Sequence, residues 1–375
     1  MTKLNPEEDT MKLLSKTAIL SAATALAGGT LSAQELQYST HLPPVVGVNS
    51  AGIQPLFERV SEATGGEITV KYFWAGQLFD AAGNFEAIRD GVIDMAFTQP
   101  EDAQADMPAN LIFSDLYFIG DNPYATAAAA NETILLDCQT CRDEYANNNA
   151  MFMGTHATTP TKMSCAADIQ SMDDLQGRKV IGQTTLAEWV ATFNGTQLDV
   201  PPPARLEAME RGVADCTIIT PEWLDTFSLG EVVQTVIDVP NGSQFAISIA
   251  TTNAETWEGL SDEAQAAFLE AMPHAIEGIV DNYVERDAAA LEKWQAEGLT
   301  VTDLGGAYEE ALDAYLVGYE QRVIEGAQAR GVENAEEIVN AFLENLEKWN
   351  AIIEEQGTEN YAQLLWDEIY SQVDY

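Results

Sequence analysis

The sequence predicts a two-domain α/β fold, in which each domain is a mainly parallel sheet flanked by helices. The main observation is a repeat. Residues 86–101, EAIRDGVIDMAFTQPE, return as residues 207–222, EAMERGVADCTIITPE, and seven of the sixteen positions are identical. Each copy has an amphipathic helix, a Gly suited to the left-handed C′ conformation, an apolar strand and a Pro that stops the strand. A second observation is helical periodicity from Ser261 to about Trp294, long enough for one helix to span both domains.

The repeat also predicts where a ligand binds. In open α/β sheets, ligands lie beyond the carboxyl ends of the strands. If both copies point their strand ends at one cleft, the residues just past those ends meet there. These are Thr98, Gln99 and Glu101 in the first copy, and Ile219, Thr220, Glu222 and Trp223 in the second. The alternative is a chance similarity between two helix–strand units, which are common.

The N-terminal region is typical of a secretory signal peptide. Lys12 and Lys16 precede an apolar, Ala-rich run over 17–29, and small residues up to Ala33 offer a cleavage site before Gln34. The acidic residues 1–10 do not suit the start of a signal peptide, so we expect translation to start at Met11, with Met1 as the alternative. No later stretch is apolar enough to span a membrane. We therefore expect an exported, soluble mature chain.

The net charge of −43 excludes two classes of partner. Nucleic acid and anionic membrane surfaces would both be repelled. The acid excess is typical of a protein kept soluble in salty surroundings, and an alternative is that it attracts a cationic ligand.

Four cysteines in an exported chain suggest disulfides, with three possible pairings. Cys138 and Cys141 have the spacing of a redox motif, but they follow the helical run 131–136 rather than open a helix after a strand. A structural bridge is therefore favoured. Cys165 and Cys216 lack the second close pair typical of zinc sites.

The chain divides, in order, into a leader and signal peptide (1–33), domain I (34–155), domain II (156–245), and a final part (246–375). The final part holds a strand returning to domain I, the spanning helix and C-terminal helices. Apolar or alternating runs predict strands at 35–39, 68–73, 95–98, 151–155, 162–165, 179–181, 216–219 and 245–251. Amphipathic periodicity predicts helices at 51–63, 81–89, 108–114, 123–136, 172–175, 186–193, 261–294, 308–329, 336–353 and 361–373, and before Gly212.

Four stretches carry a family resemblance. Residues 73–78, FWAGQL, resemble a "PAGQLG" element, and 86–97 resemble "EAVRxGxVDMA". Residues 172–181, MDDLQGRKVI, resemble "PEDLKGLKIR", and 207–215 resemble "EVYTALQTGVVDG". With this order and spacing, the sequence is similar to the DctP-type substrate-binding proteins of TRAP transporters over nearly all of the mature chain.

The resemblance implies a periplasmic-binding-protein type II-like fold whose two domains close on one small molecule. The receptor would work in the periplasm as a monomer and deliver its solute to the small and large TRAP membrane subunits. It would be no enzyme and would need no cofactor or metal.

The departures from the family pattern bear on the ligand. The family's Arg after the LKGLKIR strand, which pairs with a ligand carboxylate, corresponds to Ile181. A second Arg found in some members corresponds to His156, and an acidic or Asn residue after the second repeat strand corresponds to Ile218 and Ile219. We therefore expect an osmolyte-like cation, zwitterion or polyol, held without the usual Arg clamp. The alternative is a C4-dicarboxylate or another organic acid with a different anchor.

Aromatic and polar side chains at the expected cleft positions complete the predicted site. An aromatic box for a cation would use Trp74, Phe97, Trp189 and Trp223. The alternative is that Trp189 and Trp223 fill core space. The polar candidates are His41, Gln99, His156, Thr184 and Glu222. Glu222 has the alternative role of capping a helix, and His156 that of a structural residue.

Two other functions stay open at this stage. A receptor of the same fold can feed a sensor instead of a transporter. An exported thiol oxidoreductase could use Cys138 and Cys141. Against an enzyme, the sequence has no nucleophile elbow, HExxH, Walker loop or paired-carboxylate motif.

Overall fold

A computed structural model describes residues 33–245 and 247–373. The strands of these residues are β1 (Gln34–Ser39), β2 (Ile68–Phe73), β3 (Met95–Thr98), β4 (Ala150–Met151), β5 (Thr155–His156), β6 (Lys162–Cys165), β7 (Lys179–Ile181), β8 (Thr196–Leu198), β9 (Cys216–Ile219), β10 (Thr235–Ile237), β11 (Ile247–Asn253) and β12 (Thr300–Thr302). The predicted signal peptide lies outside the described residues, apart from Ala33.

The α-helices are α1 (Gln54–Ala63), α2 (Ala81–Arg89), α3 (Leu111–Asp115), α4 (Pro123–Glu132), α5 (Gln139–Asn147), α6 (Ala187–Thr192), α7 (Arg205–Glu210), α8 (Trp223–Thr226), α9 (Ala254–Glu258), α10 (Asp262–Ala296), α11 (Ala307–Leu316), α12 (Tyr319–Ala329), α13 (Ala335–Gln356) and α14 (Tyr361–Glu368). Short 3₁₀ or π turns lie at Val48–Ile53, Pro100–Ala103, Thr133–Asp137, Met172–Leu175, Thr184–Leu186, Pro202–Ala204, Leu229–Glu231, Leu304–Gly306 and Tyr370–Gln372.

Two sheets form the centres of two lobes. Lobe 1 is built on a six-stranded sheet with the order β2-β1-β3-β11-β4. Its sixth strand, β5, pairs with β11. The strands β1, β2 and β3 run parallel, and β11 pairs antiparallel with β3. Lobe 2 is built on the sheet β12-β10-β6-β9-β7-β8, in which β7 is parallel to both β8 and β9. The predicted two-domain α/β class is confirmed.

The repeat is a true structural repeat. Gly91 and Gly212 both take left-handed φ angles, +66° and +67°, immediately after helices α2 and α7. The following amide closes the same helix end in each copy, from Val92 to the Ala87 carbonyl at 2.8 Å and from Val213 to the Ala208 carbonyl at 2.9 Å. These bonds satisfy carbonyls that the helix leaves free, and they explain why Gly recurs.

The shared Asp of the repeat also has one role in both lobes. The Asp94 carboxylate accepts the Gln37 amide of β1 at 2.8 Å. The Asp215 carboxylate accepts the Lys179 amide of β7 at 2.8 Å. In each lobe this ties the start of the repeat strand to the neighbouring parallel strand. The matching hydrogen bonds indicate that the similarity of the two stretches is not chance.

The chain passes between the lobes more than once. It leaves lobe 1 after β5 and enters lobe 2 at β6, then returns between β10 and β11. Helix α10, of 35 residues, continues through Pro273 and packs on α1 and α4 at one end and on α8 at the other. The helix therefore spans both lobes, as the long periodic stretch predicted. No helix among residues 33–245 and 247–373 is long and apolar enough to cross a membrane.

Several elements differ from the sequence predictions. Strands β8, β10 and β12 were not expected, because three residues are too few to show a period. As a result, the final part of the chain adds β12 to lobe 2, beside β10. Helix α5 was also missed, because its sequence QTCRDEYAN is polar. The helix predicted over 308–329 is two helices, separated where Gly318 adopts a φ of +69°.

Candidate functional site

A cavity of about 210 Å³ lies between the lobes at the carboxyl ends of the two repeat strands. Lobe 1 contributes Phe97 of β3 and Gln99 just beyond it, while lobe 2 contributes Arg205 of α7 and Trp223 of α8. Tyr283 of the spanning helix completes one wall. Of the residues expected past the two strand ends, Gln99 and Trp223 line this gap, whereas Thr98, Glu101, Ile219, Thr220 and Glu222 do not.

The structure brings part of the predicted site together. Five of the predicted residues line the cavity: His41, Phe97, Gln99, His156 and Trp223. Six lie elsewhere: Trp74, Ile181, Thr184, Trp189, Ile219 and Glu222.

Trp189 and Trp74 pack within the lobes instead of lining the cavity. Trp189 is fully buried, its indole N–H donates to the Tyr308 hydroxyl at 3.1 Å, and it therefore fills core space. Trp74 stacks on Tyr72 with ring centroids 4.5 Å apart. An aromatic box that needs either ring is thus not formed at this cavity.

The two isoleucines and Glu222 also serve the interior of lobe 2. Ile181 and Ile219 belong to its hydrophobic core. Glu222 makes no capping hydrogen bond, which corrects the alternative role. Its carboxylate accepts the Thr226 hydroxyl at 2.5 Å and lies 3.5 Å from Arg286.

Thr184 lines a different cavity, of about 330 Å³, which lies between lobe 1, lobe 2 and the C-terminal helices. Gln183 borders both cavities and donates its amide N–H to Glu101 of lobe 1 at 3.3 Å. Burial raises the pKa of the Glu101 carboxyl to about 7. This hydrogen bond joins the two lobes beside the cavity between them.

Arg205 is the functional candidate that the sequence reasoning missed. It opens α7 and is 6 % exposed, and its guanidinium carbon lies 5.0 Å from the centre of the Trp223 ring. Its N–H groups donate to the Val200 carbonyl at 3.0 Å and to the Thr217 hydroxyl at 3.4 Å. Burial lowers the pKa of Arg205 to about 10, which leaves the group charged at neutral pH.

No carboxylate forms an ion pair with Arg205 in the part of the chain that the structure describes, although the negative charge of Asp199 lies near enough to raise the pKa of Arg205. A buried, charged guanidinium without a direct ion pair is costly, and an anion in the cavity would offset that cost. A signal for this residue was present in the sequence. Arg205 precedes the buried Met209 by four residues, which places it on the buried face of α7.

Both cavity histidines are neutral at physiological pH. Burial lowers the pKa of His41 to about 4 and that of His156 to about 3. His156 stacks on Tyr283, with the two ring planes nearly parallel and the ring centroids 5.8 Å apart. The Nδ1 atoms of both histidines are buried and have no hydrogen-bond partner among the described residues. Each can therefore donate to or accept from a ligand.

Another carboxylate, that of Asp287, is buried on α10 where the two lobes join. Asp287 accepts the Glu222 amide at 2.7 Å and the hydroxyl of Thr159, which lies between β5 and β6. Burial raises the pKa of Asp287 to about 7. The residue connects the spanning helix, the chain crossing and lobe 2, and it does not line the cavity.

A model of the bacterial extracellular solute-binding proteins, family 7 (DctP), matches residues 48–316, well over half of the chain. The chain belongs to this family. Solved structures of TRAP solute-binding proteins resemble this chain. One from Bordetella bronchiseptica with bound mandelate is 23 % identical, with a TM-score of 0.70, over 84 % of this chain and 99 % of that one. A marine metagenome protein in complex with 3-hydroxybenzoate is 22 % identical, with a TM-score of 0.74, over 85 % and 99 %. One from Rhodoferax ferrireducens with copurified benzoate is 18 % identical, with a TM-score of 0.73, over 85 % and 99 %.

The predicted resemblance to DctP-type proteins is therefore confirmed. Proteins of this family are extracellular receptors that bind small-molecule solutes and work with membrane permease components. Among the described residues of this DctP-family chain, no group of three or more His, Cys, Asp or Glu side chains could hold a metal ion.

The cysteines of this DctP-family chain form two disulfides. Cys165 and Cys216 are bonded directly across β6 and β9, and Cys138 is bonded to Cys141. Cys138 caps the start of α5, but this helix follows the helical stretch that ends at Asp137 and not a strand, as the sequence interpretation had it. Both cysteines of this pair are buried, at 3 % and 0 % exposure. A catalytic dithiol must be reached by its substrate, so burial favours a structural bridge.

Proposed function

We propose that this chain is the extracytoplasmic receptor of a TRAP-type secondary transporter, and that it captures a small organic carboxylate in the cavity between its lobes. The observation that carries the proposal is Arg205, a buried guanidinium on the cavity wall that forms no ion pair in the described chain. A ligand carboxylate would supply the missing negative charge through charge-assisted hydrogen bonds. The receptor would then deliver the solute to the permease subunits.

The walls of the cavity favour a ligand with an apolar body. Besides the aromatic rings already described, aliphatic and prolyl side chains surround the space: Leu42, Val46, Val48, Val200, Pro201, Pro202 and Ile247. Burial of such surface is worth about 25 cal/mol per Å². The ligands named for the neighbouring structures, mandelate, 3-hydroxybenzoate and benzoate, combine one carboxylate with one ring. They form a suitable first panel for binding studies.

The arrangement disfavours the other ligand classes. A dicarboxylate would bring a second negative charge toward Asp102 and Asp199, which line the same cavity. An aromatic box for a cation would need the face of Trp223, over which the guanidinium of Arg205 already lies. The anchor thus differs from the usual clamp, as the Ile181 position suggested, but it is still an arginine.

The chain crossings that lie close to the predicted domain boundaries, 155/156 and 245/246, suggest how the receptor closes. We infer that the crossings between β5 and β6 and between β10 and β11 act as the hinge, with α10 as the third connection. Closure around the solute would position Phe97 and Gln99 against Trp223 and Arg205. The mature, exported chain would act in the periplasm as a monomer.

Calorimetry on the mature protein tests the proposal. We expect benzoate, 3-hydroxybenzoate or mandelate to bind, and choline, sorbitol and succinate to bind at least about tenfold more weakly. Mass spectrometry of copurified small molecules would identify the natural solute. Tight binding of choline or sorbitol, equal in the wild type and in Arg205→Met, would overturn the proposed carboxylate anchor. A receptor that feeds a sensor would bind the same ligands, and the genes beside its own would distinguish it.

A further inference from the structure

Two carboxylates line the cavity from opposite lobes. Asp102 follows β3 in lobe 1, and Asp199 follows β8 in lobe 2. Asp102 is half-buried and accepts the side-chain amide of Gln99 at 3.3 Å. Burial, together with the nearby negative charges of Asp199 and Asp80, raises the pKa of Asp102 to about 6. The two lobes therefore meet at this cavity with like charges close enough to repel each other.

The same cavity also has unused hydrogen-bonding capacity. The side-chain carbonyl oxygen of Gln183 is buried and has no donor among the described residues, since the amide nitrogen of this side chain serves Glu101. His156 is 1 % exposed, lines the cavity, and has an unpartnered Nδ1. Buried acceptors without a donor are rare in native proteins, so the Gln183 carbonyl oxygen points to a ligand that carries N–H groups, and His156 can donate to or accept from the same ligand.

We infer that the ligand is a zwitterion of the amino-acid type, with an apolar body, a carboxylate at Arg205 and an N–H-bearing ammonium group facing Asp102, Asp199 and the Gln183 carbonyl. This inference rests on the proposed function, because it places the carboxylate on the same guanidinium. The cation lies between the like charges of the two lobes. Ligand binding therefore removes a repulsion that opposes closure.

The chemistry of the acceptors selects among cations. A primary or secondary ammonium donates hydrogen bonds to the carbonyl of Gln183 and to a carboxylate at once. A quaternary ammonium has no N–H group, and it would leave the Gln183 carbonyl unpaired. Ligands of the betaine type should therefore bind more weakly than the parent amino acid.

Matched ligands that differ by one group provide the test. Calorimetry would compare L-phenylalanine with 3-phenylpropanoate, 2-phenylethylamine and N,N,N-trimethyl-L-phenylalanine, and L-leucine with 4-methylpentanoate. We expect an amino acid to bind about tenfold or more tighter than its des-amino acid, and the amine without a carboxylate to bind no better than buffer blanks. The trimethylated form should lose about tenfold relative to phenylalanine.

The outcomes separate this inference from the proposed function. If des-amino acids or benzoates bind as tightly as the amino acids or tighter, the zwitterion is refuted and the carboxylate anchor stands. If no carboxylate of either kind binds, or if 2-phenylethylamine binds as well as phenylalanine, both are refuted.

Variants of the two carboxylates locate the ammonium group. Asp102→Asn and Asp199→Asn should each reduce the preference for the zwitterion several-fold, while the affinity for 3-phenylpropanoate improves because one opposing negative charge is removed. Asp121→Asn is the matched control, because Asp121 is exposed and lies outside the cavity. Circular dichroism would show that the variants are folded. An unchanged preference in both cavity variants would overturn the placement.

Discussion

Replacing Arg205 with methionine separates the binding role of this residue from its role in folding. Methionine keeps an unbranched, apolar side chain in place of the buried stem but removes the guanidinium. A carboxylate held by two charge-assisted hydrogen bonds gains about 1.5–3 kcal/mol from each, and truncating one partner of a buried charge pair costs about 2–5 kcal/mol. We therefore expect Arg205→Met to weaken benzoate binding by about 3 kcal/mol, or roughly 150-fold.

The stability of the ligand-free protein should change much less. The variant loses the hydrogen bonds to Val200 and Thr217 and the contact with the Trp223 ring, which together stabilise the fold. It also no longer buries a charge that lacks a direct ion pair, and this relief offsets much of the loss. Urea denaturation without ligand should therefore give an unfolding free energy within about 1 kcal/mol of the wild type.

Two further variants sharpen the measurement. Arg205→Lys keeps the charge but cannot form the planar, two-pronged contact, and it should lose about tenfold in affinity. Arg178→Met is the matched control, since Arg178 lies in lobe 2, pairs with Asp215 at 3.7 Å and is outside the cavity. Benzoate binding to Arg205→Met within threefold of the wild type, by calorimetry, would refute the assignment of the anchor.

The remaining predictions concern stability and the two tryptophans. Asp287 has a raised pKa when folded, so its contribution to stability falls as the pH rises from about 4 to about 7. Asp287→Asn should exceed the wild type in unfolding free energy by up to about 4 kcal/mol at pH 8 and match it near pH 4, as measured by urea titrations. Trp189→Ala should cost about 3–5 kcal/mol of stability without changing benzoate affinity, whereas Trp223→Ala should weaken benzoate about tenfold. Replacing Cys165 and Cys216 with alanine opens a link across 51 residues and should cost about 4 kcal/mol.

Each of these predictions has a contrary result. A parallel pH dependence in the wild type and Asp287→Asn would show that other groups govern stability in that range. A change in benzoate affinity in Trp189→Ala, with Trp223→Ala unaffected, would reverse the assignment of the two rings. An unfolding free energy unchanged by loss of the Cys165–Cys216 bridge would mean that the unfolded chain is already constrained.

The sequence by itself determined the fold class and the direction of the site. The period of the apolar residues, the Gly that ends each repeat helix and the Pro that ends each repeat strand are local signals. Gly91 and Gly212 adopt the left-handed conformation that their positions required. Because the same unit occurs twice, the ends of β3 and β9 could be expected at a common cleft, and Gln99 and Trp223 do meet there.

Only the tertiary structure decided which side chains reach that cleft. Trp189 and Trp223 both follow strands and are both aromatic, yet one fills the core beside Tyr308 and the other borders the cavity. Arg205 is hard to find from the sequence, because a single charged residue at a helix start is usually exposed to solvent. Its burial depends on how α7 packs against β9 and α8, which are contacts between segments that local periodicity does not encode. Asp102 and Asp199 are almost a hundred residues apart along the chain, and only the packing of the two lobes brings them to one cavity.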